Sequence, residues 1–217
     1  MFDAISARYD LANAAMTFGR DRRWRALAAE AAGARRGAAV LDCACGSGML
    51  SQALLRAGAR RVVGLDFSPG MLEVARRQVR GVEFVEGDVL GLPHADGEFD
   101  AVTIGFGLRN LPDPHAGIRE MARVIRPGGS LVILEAVRPT GLLAPLLRLW
   151  VQEGLPRLGG LLSGAPAAYR YLGDTVSTYA TAAELGGWLR AGGLTGVHVR
   201  PLMFGSVALA RGIKPAP

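Results

Sequence analysis

Lysine is almost missing from this chain. Lys214 is the sole lysine among 25 lysine and arginine residues, while alanine, glycine and arginine are used heavily. We read that as compositional bias rather than function. Cysteine is nearly as scarce. Cys43 and Cys45 are the only two, spaced C-x-C rather than as the C-x-x-C of redox or zinc sites, with no second ligand pair. No metal and no secreted disulfide scaffold are expected; two small buried thiols are. Aromatic residues make up 6% of the chain and do not interleave with the arginine pairs at 22–23, 35–36, 60–61 and 76–77. A net charge of +6 favours anionic partners in general, but that pattern argues against a nucleic-acid groove. Long hydrophobic runs are absent too. Residues 141–162 are rich in leucine, yet Arg148, Glu153, Pro156 and Arg157 interrupt them before the ~20 apolar residues that a spanning helix needs. The first residues lack the basic and apolar regions of a signal peptide, so a cytoplasmic, reducing location is expected. A length of 217 residues, half of them hydrophobic, suits one domain with a sizeable core.

The stretch Ala38-Ala39-Val40-Leu41-Asp42-Cys43-Ala44-Cys45-Gly46-Ser47-Gly48 is the most informative. Its aliphatic half reads as a buried parallel strand ending in a carboxylate, its second half as a glycine turn, and Met49 to Ala57 resume at helical spacing. Strand, glycine turn and helix open a nucleotide-type site. Gly46 and Gly48 let a ligand approach the backbone and permit positive φ. Asp42 is placed to orient the turn or to meet a ligand's positive charge. Ser51 occupies the third glycine position of the dinucleotide fingerprint G-x-G-x-x-G, which counts against a nicotinamide site.

Along the chain, Arg20 to Ala32 is an amphipathic helix with Trp24, Leu27, Ala28 and Ala31 on one face. Strands follow at Arg61–Asp66, Val82–Glu86, Phe99–Ile104 and Ser130–Glu135. Helices follow at Ser68–Val79, with a Ser cap and a Pro in the first turn, and at Pro114–Ile125, which Arg126-Pro127-Gly128-Gly129 stops. The alternation predicts a parallel sheet covered on both faces. Asp42, Asp66 and Asp88 close three successive strands and so converge on one crevice at the strands' carboxyl ends. Asp66 is placed to accept two ribose hydroxyls and Asp88 an adenine amine. The apolar 141–162 stretch is a core helix pair, a cap over a greasy substrate or a segment lying on a membrane. Thr181 to Ala191 is a helix, and Leu194–Arg200 with Met203–Arg211 form a terminal hairpin.

The Asp42–Gly48 turn resembles the S-adenosylmethionine site of class I methyltransferases. Nearly the whole chain is similar to the ubiquinone/menaquinone biosynthesis C-methyltransferase family: Met1-Phe2-Asp3-Ala4-Ile5 through Tyr9-Asp10 and Asn13, Phe106-Gly107-Leu108-Arg109-Asn110, Arg126-Pro127-Gly128-Gly129, Leu155-Pro156-Arg157-Leu158-Gly159, Tyr169-Arg170-Tyr171-Leu172 and the closing Gly205–Lys214. Met49 and Gly105 depart from residues common in the family, an acid and a serine.

The resemblance implies an α/β Rossmann-like class I methyltransferase fold, with a mostly parallel seven-stranded sheet, helices on both faces and a C-terminal antiparallel hairpin. It divides one domain, 1–217, into an N-terminal helical cap (1–37), a cofactor-binding core (38–136), an apolar substrate- or membrane-facing insertion (137–180) and a C-terminal helix and hairpin (181–217). It implies S-adenosyl-L-methionine as methyl donor and a prenylated quinol as acceptor, demethylmenaquinol or its ubiquinone-pathway counterpart. Cofactor contacts are expected at Asp42, Gly46, Ser47, Gly48, Asp66, Asp88 and Val89. Catalytic roles are expected at Arg109, Asn110 and Tyr171, with Arg109 stabilising a phenolate or orienting a water. Arginine is a poor base, so Asp88, Tyr9, Tyr171 and a water stay open for that role. Expected partners are the quinol, transiently the inner face of the membrane, and a second copy of the chain, but no nucleic acid. A methyltransferase directed at oxygen or nitrogen of another small apolar molecule is the alternative.

Overall fold

The computed structural model describes residues 19–34, 37–141, 144–149, 154, 176 and 178–216. Helix α1 (Asp21–Ala31) precedes β1 (Ala39–Cys43), α2 (Met49–Arg56), β2 (Arg61–Asp66), α3 (Pro69–Gln78) and β3 (Glu83–Glu86). Then come β4 (Phe99–Gly105), a 3-10 turn (Leu108–Asn110), α4 (Pro114–Val124), β5 (Ile125–Ala136), the short α5 (Ala144–Leu149), α6 (Ala182–Ala191), β6 (Thr195–Leu202) and β7 (Val207–Ile213). The strands form one seven-stranded sheet in the order β3-β2-β1-β4-β5-β7-β6. The first five run parallel, and β7 pairs antiparallel with both β5 and β6. Chain order reverses between β1 and β4, and a crevice opens at such a switch point.

Successive side chains of a strand point to opposite faces, and the core divides accordingly. Leu131 and Ile133 of β5, with Val102 and Ile104 of β4, pack against Ile118 and Met121 of α4 and Leu185 and Leu189 of α6. Val132 and Leu134, with Ala101 and Val40, pack on the other face against Trp24 and Ala28 of α1 and Leu50 and Leu54 of α2. Covered on both sides, β1 is buried throughout, which is why it reads as a continuous apolar run.

Helix starts follow local chemistry. Ser68 accepts from the Met71 N–H at 3.2 Å and Asp113 from the Ala116 N–H at 2.9 Å, each ahead of a proline at the first helical position. Thr181 and Glu184 form a reciprocal capping box on α6.

Strand β1 holds Asp42 at its carboxyl end, as expected. Two boundaries differ from expectation by more than two residues. β5 begins at Ile125 and not at Ser130, because Ile125 already pairs with Phe99 across a register shift. A Cβ on Gly129 would lie 2.6 Å from the Asp100 carbonyl oxygen, so only glycine admits this close approach. The last strand begins at Val207, because Met203–Gly205 form a 3-10 turn with Met203 and Phe204 at positive φ.

Candidate active site

Two chain reversals build the site. After β1 the backbone turns through Ala44, Gly46 and Gly48, all at positive φ, and Gly48 then caps α2 at φ 81°. After β4 it turns through Phe106, also at positive φ. Non-glycine residues seldom adopt this conformation. Here Ala44 and Phe106 face each other across the switch point and line one cavity of about 360 Å³. Asp42, Gly46, Ser47, Asp66, Asp88, Val89 and Asn110 line it as well. Thus six of the seven expected cofactor residues share one wall system, and Gly48 acts through its backbone conformation behind it.

The three carboxylates are not equivalent. Asp42 is fully buried: Ser51 Oγ donates to its Oδ2 at 2.6 Å and Thr103 Oγ1 to its Oδ1 at 2.8 Å. Thr103 stands directly opposite Asp42 in the β1–β4 register. Burial pushes the Asp42 carboxyl up to about 6, and the two hydroxyls pull it back only partly. Buried and held by a hydroxyl on each oxygen, Asp42 clamps β1, α2 and β4 and orients the turn, the first of the two roles expected of it. Ser51, read above only as the missing third glycine, is the donor that this arrangement requires.

Asp66 accepts from the Gly46 N–H at 2.8 Å and the Ser68 N–H at 3.0 Å. It ties the glycine turn to the start of α3 and lines the cavity. Asp88 is exposed and accepts from the Leu90 N–H at 2.9 Å. Phe67, 65% exposed, lines the same wall. Sequence reasoning passed over it, although an aromatic directly after the β2 acid was a signal.

Arg109 does not line the cavity. Its Nη1 donates to Glu135 Oε1 at 2.5 Å and to the Phe106 carbonyl at 2.7 Å, while its backbone N–H donates to Glu135 Oε2 at 3.2 Å. The side chains are 7% and 0% exposed, respectively, so the expectation that Arg109 faces the crevice is corrected. A carboxylate at the end of β5 draws it into a buried pair. Glu135 was missed; its signal was an acid closing an apolar strand.

Asn110, next along the same 3-10 turn, does line the cavity, and its Oδ1 is buried with no partner among the described residues. The Tyr179 hydroxyl is likewise buried without a partner among them; burial, with Glu135 nearby, pushes its phenol up. Tyr171 and Tyr9 lie outside the described residues, as does most of 141–162. Cys43 and Cys45 are free, buried thiols, pushed up by burial. No group of three or more potential metal ligands occurs among the described residues.

The cavity suits an adenosyl donor on its own chemistry: an acid at the end of β2, an exposed aromatic beside it, backbone approach over Gly46 and Ser47, and an unpartnered carboxamide oxygen across the switch point. Solved structures share the fold. A SAM-dependent methyltransferase from Thermotoga maritima superposes with a TM-score of 0.64 at 18% identity, covering 99% of this chain and 100% of that one. One from Aquifex aeolicus gives 0.56 at 18%, covering 82% of each. Sequence relatives extend over the full length. A demethylmenaquinone methyltransferase from Clavibacter sepedonicus is 44% identical over 100% of this chain and 89% of its own, and one from Thermus thermophilus is 43% identical over 99% and 100%. The model of the ubiE/COQ5 methyltransferase family matches residues 1–214. With the acid-lined switch-point cavity, the shared fold and a match over nearly every residue, the chain belongs to the ubiE/COQ5 methyltransferase family and is an S-adenosyl-L-methionine-dependent methyltransferase.

Proposed function

We propose that the chain methylates a ring carbon of a prenylated naphthoquinol, converting demethylmenaquinol to menaquinol. The observation that carries this reading is the 43–44% identity, over the full chain, to demethylmenaquinone methyltransferases. Bound in the cavity, S-adenosylmethionine supplies a methyl group already activated on a sulfonium.

The chain's share is position and charge. Asp66, at the end of β2, takes the ribose hydroxyls, Asp88 and Val89 bracket the adenine, and Gly46 and Ser47 let the cofactor lie against the backbone. Asn110 presents its carboxamide toward the acceptor side. Arg109 acts through the turn that it anchors rather than by touching the quinol oxygen. A ring carbon becomes nucleophilic once the adjacent phenol loses its proton; with Asp88 at the adenine, a water is the acceptor, or Tyr9 or Tyr171, which lie outside the described residues.

Incubation with S-adenosylmethionine and a ring-deuterated demethylnaphthoquinol separates the possibilities. Carbon methylation adds a methyl group and expels the ring deuteron. Oxygen methylation keeps it, and that result, or turnover of an unrelated phenol only, overturns the proposal. A benzoquinol precursor run in parallel tests the choice of ring.

The tail of such a substrate stays in a bilayer, so the chain visits the membrane surface. No helix among the described residues is long and apolar enough to cross one. Leu146 and Leu149 of α5 are 66% and 58% exposed, and large exposed apolar side chains of this kind suit an interfacial contact. Flotation with liposomes is expected for the wild type and lost in the Leu146→Ser/Leu149→Ser double variant; equal flotation of the two rules α5 out.

A further inference from the structure

The charges lining the cavity are unbalanced. Asp42, Asp66 and Asp88 are acidic, and Arg25 is the sole lysine or arginine among its described lining residues. Arg25 lies one residue after Trp24, whose indole packs with Ala28 into the apolar cluster beneath α1. That packing fixes the helix over β1 and turns Arg25 toward the site. The guanidinium's positive charge is felt at Asp42, which places it near the carboxyl end of β1. Its ion-pair partner is Asp21 rather than Asp42.

Arg25 is held instead by its own helix. Its Nη1 donates to Asp21 Oδ2 at 2.6 Å, and the side chain is 14% exposed. This is its one hydrogen bond among the described residues. A guanidinium has five N–H donors in a rigid fork; one is taken by Asp21, and no described residue takes the others. A pre-oriented arginine with spare donors is suited to a carboxylate.

We propose that Arg25 binds the α-carboxylate of the cofactor's amino-acid moiety. This rests on the reading of the cavity as an S-adenosylmethionine site and assigns the opposite end of the ligand from Asp66 and Asp88. The acids on the β2 and β3 side take hydroxyl and amine donors, whereas the cation under α1 takes the anionic end. Asp21 acts as a positioning residue that aims the fork.

Calorimetric binding of two ligands tests this without turnover. S-adenosylhomocysteine carries the carboxylate, and 5′-methylthioadenosine lacks the amino-acid end altogether. In Arg25→Gln the Kd for S-adenosylhomocysteine is expected to rise at least tenfold while that for methylthioadenosine stays unchanged, which also reports an intact fold. Arg25→Lys is expected to fall between, keeping the charge but losing the fork. An equal weakening of both ligands means that Arg25 serves the fold, and no change in either means that the carboxylate lies elsewhere; both results overturn the assignment. A wild-type chain that binds neither ligand overturns the reading of the cavity itself.

Discussion

Glu135→Ala is expected to lower the free energy of unfolding by about 3–5 kcal/mol, the range seen when one partner of a buried ion pair is removed. The reason is the size of what is left behind. Glu135 is fully buried and accepts from Arg109 Nη1, from the Arg109 backbone N–H and from the Ala136 N–H at 2.9 Å. Without it the guanidinium stays 7% exposed and keeps the Phe106 carbonyl but loses its carboxylate, so a desolvated charge is deprived of its counter-charge.

Glu135→Gln keeps the shape and an acceptor oxygen but not the charge, and is expected to cost less. Urea unfolding of the two variants beside the wild type measures both. A loss below about 1 kcal/mol for Glu135→Ala, the value of a solvent-screened pair, would show that the pair is not buried in solution. The same contacts hold the Leu108–Asn110 turn, so Glu135→Gln is also expected to raise KM for the acceptor more than it changes cofactor affinity.

Asp42 gives the second large effect, through pH. Burial pushes its carboxyl from 3.8 to about 6 in the folded chain. Between those values the folded state holds a proton that the unfolded state has released, so raising the pH favours unfolding. The contribution of Asp42 to stability is therefore present in full below pH 4 and is lost as pH rises through about 6. A shift of this size corresponds to roughly 3 kcal/mol, at 1.36 kcal/mol per pKa unit.

Asp42→Asn removes the titration. The Ser51 and Thr103 hydroxyls can rotate to donate to the amide oxygen or accept from its nitrogen. Relative to this variant, the wild type is expected to lose roughly 3 kcal/mol of stability between pH 4 and pH 7. Urea unfolding at unit pH steps reads that difference directly, and parallel curves for the two proteins would place the titration on another group. Comparison with the variant cancels the carboxylates whose pKa burial does not raise.

The elements legible in the sequence share a local cause. The apolar runs at Val40–Leu41, Val62–Val63 and Val102–Ile104 announce strands, since a strand buried on both faces has no polar side to display. Ser68-Pro69 and Asp113-Pro114 announce helix starts, because cap and proline act within one turn of chain. The acids at 42, 66 and 88 point to one crevice for a similar reason: parallel strands place their carboxyl ends side by side. Ile125–Gly129 and Met203–Gly205 were misread where tertiary packing overrides local signals. A Pro-Gly-Gly segment ordinarily ends structure, yet here Gly129 permits a strand to pass beside the Asp100 carbonyl.

Residue types and spacing by themselves determined that this chain builds a strand–glycine turn–helix site closed by three carboxylates. Those features lie within short stretches of sequence and follow from backbone chemistry. Only the tertiary structure decided which carboxylate is sealed between strands, Asp42, and which stands exposed at the crevice, Asp88. Asp42 and Thr103 are 61 residues apart and meet because β4 lies beside β1. Arg109 and Glu135, 26 residues apart, meet because β5 follows β4 in the sheet. Burial at those meetings is what makes each pair a clamp, and desolvation depends on everything packed around a group rather than on its neighbours in the chain.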